Sequence, residues 1–555
     1  MAVAKLSKAV LICPRRNLSH LLTLLCESSC FHPSHREGLV EDPEILLVSS
    51  RAHEVYSDAG ELMPEGQGEP GGRSSEIRRT DLTTDIFSLV ATLAKELEEL
   101  REAPHPRAGA EGNGSTPRLL SLREAARLIF SNLRRIRTYP GLRRFVLIEG
   151  FIPSSMTDTF RRNLSNYLLS LEQMEKRGTQ DPYVPSLLVN PRVISWFENI
   201  TLSQGSPRYQ EIDPTPLIAF IFPVFFGIMF ADIGHGITLL LVGIALAIRA
   251  QRRYGYWGRV LTVLGVSSLA AGGFRGVLFG IELQTPWMSA IPLRGPAAGG
   301  LDAGSAILWL EVGALIGTFH LTLAYVIALF NRVRSGDLLS ALLSHLPTLT
   351  FYSSAIPLAL SLLGARFRWQ ELFISDSRTP VFKELLGLEV PVSTVATISF
   401  PIVVVSFAVL ISGRAIVQGL RPRPRQGIVT ALAEGLLDGL LRPIEFLANT
   451  ISYVRLGVLL ILGQLLGAVV GRALELGALG IPLVVVANMG VMALEGLIVY
   501  IQDMRLHLYE WFSKFYFGLG IPFDPLVSVG RGVEIRWLLD DPSKHGRADA
   551  TRPPS

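Results

Sequence analysis

The chain has 555 residues, of which 49% are apolar and only 18% charged, with a mean hydropathy of +0.36 and a formal net charge of +4. Soluble chains carry about 25% charged residues, so the composition excludes an ordinary soluble enzyme, a disulfide-dense secreted scaffold and a disordered chain. The deficit is uneven: residues 1–212 hold 26 Lys/Arg and 26 Asp/Glu, whereas the remaining 343 hold 26 and 22. The first part reads as a soluble domain and the rest as membrane spans. The whole net charge falls in the membrane part, where it reads as a loop bias and not as a nucleic-acid surface.

In chain order, Met1–Lys8 precedes a short apolar run, Ala9–Cys13, too brief for the core of a signal peptide and read as a buried strand. Leu18–Glu27 has helical spacing, and Glu44–Ser49 reads as a second strand. Residues 58–79, rich in Gly, Glu, Pro and Ser, read as a loop. Asp81–Glu102 predicts a long amphipathic helix, with Leu82, Ile86, Leu89 and Leu93 at spacings of three and four. A Pro/Gly-rich turn over 104–117 separates it from a second helix, Ser121–Arg137, so the pair predicts a helical hairpin or short coiled-coil arm. Phe145–Phe151 reads as a strand and Asp158–Leu171 as a helix. The expected head is a cytoplasmic α+β domain over 1–212 carrying that arm. Cys13, Cys26 and Cys30 form no paired CxxC pattern, so reduced thiols are expected and no metal site.

Residues 213–527 predict an all-α membrane domain. Eight apolar segments approach spanning length: 214–231, 234–250, 259–280, 302–330, 338–363, 391–412, 447–471 and 481–504. Asp232-Ile-Gly-His-Gly236 breaks an apolar stretch too long for one span. Arg249, Arg252, Arg253 and Arg259 fall in one even-to-odd connection, Arg332 and Arg334 in the next, and Arg414, Arg421, Arg423 and Arg425 in a third. The positive-inside rule puts these connections, and both termini, on the cytoplasmic side. Residues 528–555 are expected to be a flexible cytoplasmic tail.

Ionisable groups inside apolar helices cost several kcal/mol on insertion scales, about 2.5–3.5 for Arg, so they mark function. Arg455 has apolar neighbours on both sides, and Arg505 sits in the last helix. In that helix Asn488, Glu495, Gln502 and Tyr509 recur every seven residues, which turns a helix through about 700° and leaves them on one stripe. Such a stripe serves either as interhelical packing or as the lining of an aqueous path; with a glutamate in it and two arginines nearby, the path is the expectation. The seventh helix brings Glu445, Asn449 and Ser452 to one arc beside Arg455, and carries the small-residue seam Gly463, Gly467 and Gly471, for which close packing is the expectation.

None of the seven lysines follows a glycine, so no GxxxxGK[ST] phosphate loop occurs, nor do HExxH or GxSxG. No catalytic site and no cofactor are expected, and any chemical energy source must lie on another subunit.

The chain resembles the membrane stator subunit of rotary V/A-type ATPases, called subunit I in prokaryotes and subunit a in eukaryotes. The resemblance rests on Pro185-Ser-Leu-Leu-Val-Asn-Pro191, Tyr209-Gln-Glu-Ile-Asp-Pro-Thr-Pro216, Phe222-Pro-Val-Phe-Phe-Gly-Ile-Met-Phe-Ala-Asp-Ile-Gly-His-Gly236, Glu445-Phe-Leu-Ala-Asn-Thr-Ile-Ser-Tyr-Val-Arg-Leu456, Glu495-Gly, Arg505-Leu-His507 and Phe512-Ser-Lys-Phe515. It implies that the last two helices, long and tilted, face a rotating ring of small subunits, each with one buried carboxylate. Arg455 would meet that carboxylate, Arg505 would be the second arginine, and Glu445, Asn449 and Glu495 would line two offset half-channels for an ion, expected to be the proton; Ser452, from the arc, and Asn488 and Gln502, from the stripe, are expected beside them. Implied partners are the ring, the peripheral-stalk subunits, the adaptor linking ring to central stalk, and membrane lipid; nucleic acid is not among them. The head is short for the family, and Gly463 stands where relatives commonly have histidine. Two other readings compete: an ion-coupled secondary transporter, against which the absence of an inverted repeat weighs, and a passive anchor, which has no need of Arg455 or Glu495.

Overall fold

The computed structural model describes residues 3–62, 78–82, 85–102, 115–175, 181–249, 252–282, 303–364, 368–370, 372–374, 390–420, 428–472, 480–528 and 533–537. It is mostly helical and divides into two units, one of Ala4–Glu175, Thr179–Leu187 and Gly520–Ser555, the other centred on Leu188–Leu519.

The first unit is built on an antiparallel sheet of order β2-β4-β1-β5: β1 (Leu6–Pro14), β2 (His32–Pro33), β4 (Phe145–Pro153) and β5 (Leu168–Gln173). β1 runs along β4 from Leu6↔Pro153 to Pro14↔Phe145. Alternate β1 residues Ala9, Leu11 and Cys13 are fully buried, as a strand with one face on a core requires. Against the sheet pack α1 (Leu18–Ser28), α2 (Pro43–Glu61), α3 (Ile86–Glu102) and α4 (Ser115–Leu133), which share one core. Cys13, Cys26 and Cys30 are free thiols inside it, and burial pushes the Cys26 thiol up to about 12.

Three expectations are corrected here. Glu44–Ser49 is not a strand but the start of α2: Asp42 caps the helix by accepting from Glu44 N at 3.0 Å, Pro43 opens it, and of Ile45-Leu46-Leu47-Val48 only Ile45 and Val48 are buried. That is the i, i+3 signature of a helix hidden in an apolar run. The helix expected from Asp81 begins at Ile86, because Asp85 accepts from Ser88 N at 2.8 Å as its cap, while Arg78–Leu82 forms strand β3. The helix expected over Asp158–Leu171 stops at Asn163 (α5, Thr157–Asn163), and the chain turns into edge strand β5. Residues 104–114 of the expected turn and most of the loop over 58–79 lie outside the described residues, while 115–117, expected in the turn, are the first residues of α4. α3 and α4, expected as an arm, bury Leu89, Leu93, Leu97, Leu122, Ala126 and Ile129 in the head core over their described lengths.

The C-terminal segment belongs to this unit. β9 (Ile521–Pro522) pairs in parallel with β6 (Pro185–Ser186), and β10 (Val533–Trp537) with β3. Leu526 and Ile535 enter the core, and Asn132 Nδ2 donates to Val527 O at 2.7 Å. The expected flexible tail therefore contains a paired strand at 533–537; residues 538–555 lie outside the described residues.

The second unit holds α6 (Thr215–Met229), α7 (Ile233–Arg249), α8 (Arg252–Arg275), α9 (Ala303–Arg334), α10 (Leu346–Gly364), α11 (Val392–Leu420), α12 (Ile428–Ser452), α13 (Val454–Gly471) and α14 (Gly480–Arg505). Among the described residues four helical stretches are long and apolar enough to cross a membrane, Trp309–Arg334, Val392–Gly413, Leu432–Gly467 and Pro482–Lys514, and two apolar helices are shorter, Thr215–Met229 and Ile233–Arg249. The seventh expected span, 447–471, overlaps the 36-residue stretch Leu432–Gly467, which α12 and α13 share across a break at Tyr453. α7 and α8 form a tight pair. Gly236, Gly243, Gly258, Gly265 and Gly272 each bring their Cα against the partner helix's backbone, where a Cβ would collide, the small-residue packing that replaces a hydrophobic drive in lipid.

Candidate functional site: two polar clusters along the last helix

The first cluster surrounds Glu495 and Asn488 on α14. Its anchor is Asp232, in the break between α6 and α7. Asp232 Oδ1 accepts from His235 N (3.0 Å) and Phe279 N (2.9 Å), and Oδ2 from Gly280 N (2.6 Å). The carboxylate thus caps α7 and holds the tight hairpin of β7 (Val277–Leu278) and β8 (Ile281–Glu282). At the tip Gly280 has φ +77° and lies face to face with Gly467 of α13; a Cβ on either would overlap the other's backbone. His235 Nε2 donates to Asn488 Oδ1 at 3.2 Å, and Asn488 Nδ2 donates to Val484 O at 3.0 Å. Glu495 is buried, with Asp232 and Arg275 as its charged neighbours. Its Oε1 occupies the space a Cβ at position 463 would need. Gln464 turns its amide oxygen to Arg275, accepting from Nε at 3.2 Å. The seam of α13 is thus packing at its two described contacts, with Gly463 against Glu495 and Gly467 against the hairpin; the surroundings of Gly471 lie outside the described residues.

The second cluster lies ten residues on, about 15 Å along the axis, where α14 passes into a π-turn, Leu506–Trp511. Arg455 begins α13 just past the α12–α13 break at Tyr453, and its charged neighbours are Arg505 and Glu510. Arg505 Nε is 3.9 Å from Glu510 Oε1. Asp503 and His507 are fully buried on the opposite face of the helix from Arg505. His507 Nδ1 donates to Asp503 O at 3.0 Å and lies 3.1 Å from its Oδ1. Among the described residues Arg455 Nη1, Gln502 Oε1, both Asp503 carboxylate oxygens, His507 Nε2 and Glu510 Oε2 are buried with no hydrogen-bond partner. Buried polar atoms are otherwise paired in more than nine cases in ten, so their concentration here singles this end out.

The remaining expected residues are divided. Glu445 forms an ion pair with Lys514, at the end of the same helical stretch as Arg505. Asn449 Nδ2 is unpaired, whereas Ser452 Oγ donates to Ala448 O of its own helix at 3.0 Å. The heptad stripe runs from buried Asn488 and Glu495 through half-buried Gln502 to exposed Tyr509. Asp232, His235, His320, Tyr453, Asp503 and Glu510 were not among the expected site residues. Asp503 and Glu510 repeat the seven-residue spacing on another face, and His320 is a lone histidine in an apolar span; both were signals available in the sequence.

Residues 114–255 match the family described as the V-type ATPase 116kDa subunit family. The chain is similar to A-type ATP synthase subunit I of Aeropyrum pernix, 26% identical over 80% of this chain and 65% of the relative. It is 25% identical to the subunit I of Saccharolobus solfataricus over 74% of this chain and 63% of the relative. A shorter match to that of Halobacterium salinarum reaches 34% over 29% of this chain and 23% of the relative. The chain spans less than two thirds of the length of these relatives. The relatives are subunits of A-type ATP synthases by name, and the apolar helices of spanning length make this chain membrane-capable. The matched region and these relatives support the V/A-type subunit I/a family for this chain.

Proposed function

We propose that the chain is the non-catalytic stator subunit of a rotary V/A-type ATPase or ATP synthase. It forms two offset ion half-channels, for protons, facing a ring of carboxylate-bearing subunits, and its head anchors peripheral stalks. The observation that carries this reading is Arg455, in an apolar helix, grouped with Arg505 and Glu510 beside unpaired polar atoms. Arginine cannot give up its proton, so it cannot relay one, but it can hold a ring carboxylate ionised and block a direct leak. Each charge moved across the membrane is worth about 2.3 kcal/mol per 100 mV, which such a leak would dissipate. The Asn488–Glu495 cluster would serve one half-channel and the Glu445–Asn449–Gln502 region the other. The reading carries a head over 1–212 that also takes in the segment from Gly520 on, and a membrane domain from 213 to about 519 with eight spans, the last two tilted, both termini cytoplasmic, in the cell membrane of a prokaryote.

The test is reconstitution of the complex with and without this chain. ATP hydrolysis by the soluble sector should persist without it, while ion pumping should require it. Coupled solute uptake by vesicles holding this chain alone would favour the secondary-transporter reading instead. Single cysteines near 290, 375 and 420 test the layout: the first two should label from outside and the third from inside.

A further inference from the structure

We infer that His320 is a positioning residue that sets the register between Arg455 on α13 and Arg505 and Glu510 on the last helix. The inference rests on the stator reading. His320 is 2% exposed near the middle of α9 and touches the α12–α13 break beside Arg455 and the π-turn that follows Arg505. Its Nδ1 is hydrogen-bonded to the Tyr453 hydroxyl at 2.9 Å. Tyr453 is fully buried at the α12–α13 break, two residues before Arg455. The same break is pressed onto α9 by glycines. A Cβ at Gly317 would overlap the Tyr453 ring, and one at Gly457 would overlap Trp309 O. On its other side His320 holds the π-turn. Its carbonyl accepts from Trp511 Nε1 at 3.1 Å, and its ring stacks on Trp511 with centroids 4.7 Å apart. Trp511 follows Glu510 directly, and His507 packs with its centroid 5.2 Å from His320.

A helix break and a π-turn are the two places where these helices lack a continuous i→i−4 ladder to fix rotation. Each leaves the following side chains free to swing unless a neighbour holds it. One buried residue holds both. The hydroxyl of Tyr453 and the indole N–H of Trp511 are the polar handles of large rings, which need a partner when buried, and both find it at His320. Rotation of α13 at its start would swing Arg455 about the axis, away from Arg505. His320 therefore acts through Tyr453 and Trp511 and touches no transported ion.

The experiment uses the complete reconstituted complex. Ion pumping per assembled complex and ions moved per ATP are measured for Tyr453→Phe, His320→Leu, His320→Asn and the double variant Tyr453→Phe/His320→Leu, beside Arg455→Ala. Tyr453→Phe and His320→Leu should each lower pumping about three- to tenfold, the range of one net hydrogen bond, with the yield of assembled complex unchanged. His320→Asn, whose amide can stand at the Nδ1 position, should recover part of the loss. The double variant should be no worse than His320→Leu alone, since both remove one contact. A merely structural histidine would lower assembly yield, leave pumping per complex unchanged and show no rescue by Asn. If His320→Leu does not assemble, Tyr453→Phe decides alone. Unmodified pumping by Tyr453→Phe while Arg455→Ala is inactive would overturn the inference; unmodified pumping by Arg455→Ala would overturn the stator reading itself.

Discussion

The two polar clusters of the last helix are built on opposite principles. Around Asn488 and Glu495 the groups are spoken for. Asp232 takes three backbone N–H groups, Asn488 uses both ends of its amide, and glycines close the backbone distances. Around Arg505 polar atoms of Arg455, Gln502, Asp503, His507 and Glu510 are buried without partners among the described residues. An unmet buried polar group costs about 1–3 kcal/mol, so several at one place mark a surface selected for something other than stability of this chain. The contrast teaches that substitutions in the packed frame of the first end, Asp232 and Gly467, should break the protein before they break transport, and substitutions at the second end the reverse.

The largest expected effect on assembly is Asp232→Ala. It strips the acceptor from His235 N, Phe279 N and Gly280 N at once, and at about 1–3 kcal/mol for each buried donor the complex should fail to assemble on native gels. Normal assembly of this variant would erase the contrast. Gly467→Ala against Gly463→Ala sharpens it within one helix. A Cβ at Gly467 meets the Gly280 backbone, which cannot step aside, whereas one at Gly463 meets the end of the Glu495 side chain. Overpacking of about 1–3 kcal/mol should lower the thermal stability of the first variant, while the second should assemble and pump more slowly. Glu495→Gln is milder: assembly intact, translocation slowed severalfold in vesicle assays; an unmodified rate would make the stripe packing alone. Smallest is Ser452→Ala. Its hydroxyl already bonds Ala448 O of its own helix, a contact of little net value, so stability should shift by no more than about 0.5 kcal/mol and pumping should not change.

How much of this was legible in the sequence follows from what carries each feature. The head strands β1 and β4 and the apolar helices show in periodicity alone. The four-residue run Ile45–Val48 does not, because an apolar run that short fits strand and helix equally, and only the Asp42 cap decides. Arg455, Arg505 and Glu495 stand out because a charge in an apolar stretch needs no structure to be seen. The division of the heptad stripe into a packed end and an unpaired end does not, because it depends on His235 and on the hairpin tip at Gly280, remote in sequence from α14. The π-turn at Leu506–Trp511 adds to the difficulty, since it shifts the faces that a 3.6-residue period assigns.

The central claim is that Arg455 supplies a charge for transport and not for folding. Its most direct test is ion pumping by reconstituted complexes carrying Arg455→Ala, Arg455→Gln or Arg455→Lys, with assembly measured on the same samples. The account predicts full assembly for all three, pumping near zero for Ala and Gln, and poor rescue by Lys, which keeps a charge but not the guanidinium's fork of donors. Substantial coupled pumping by Arg455→Ala would contradict it and move the essential charge elsewhere, with Arg505 next in line.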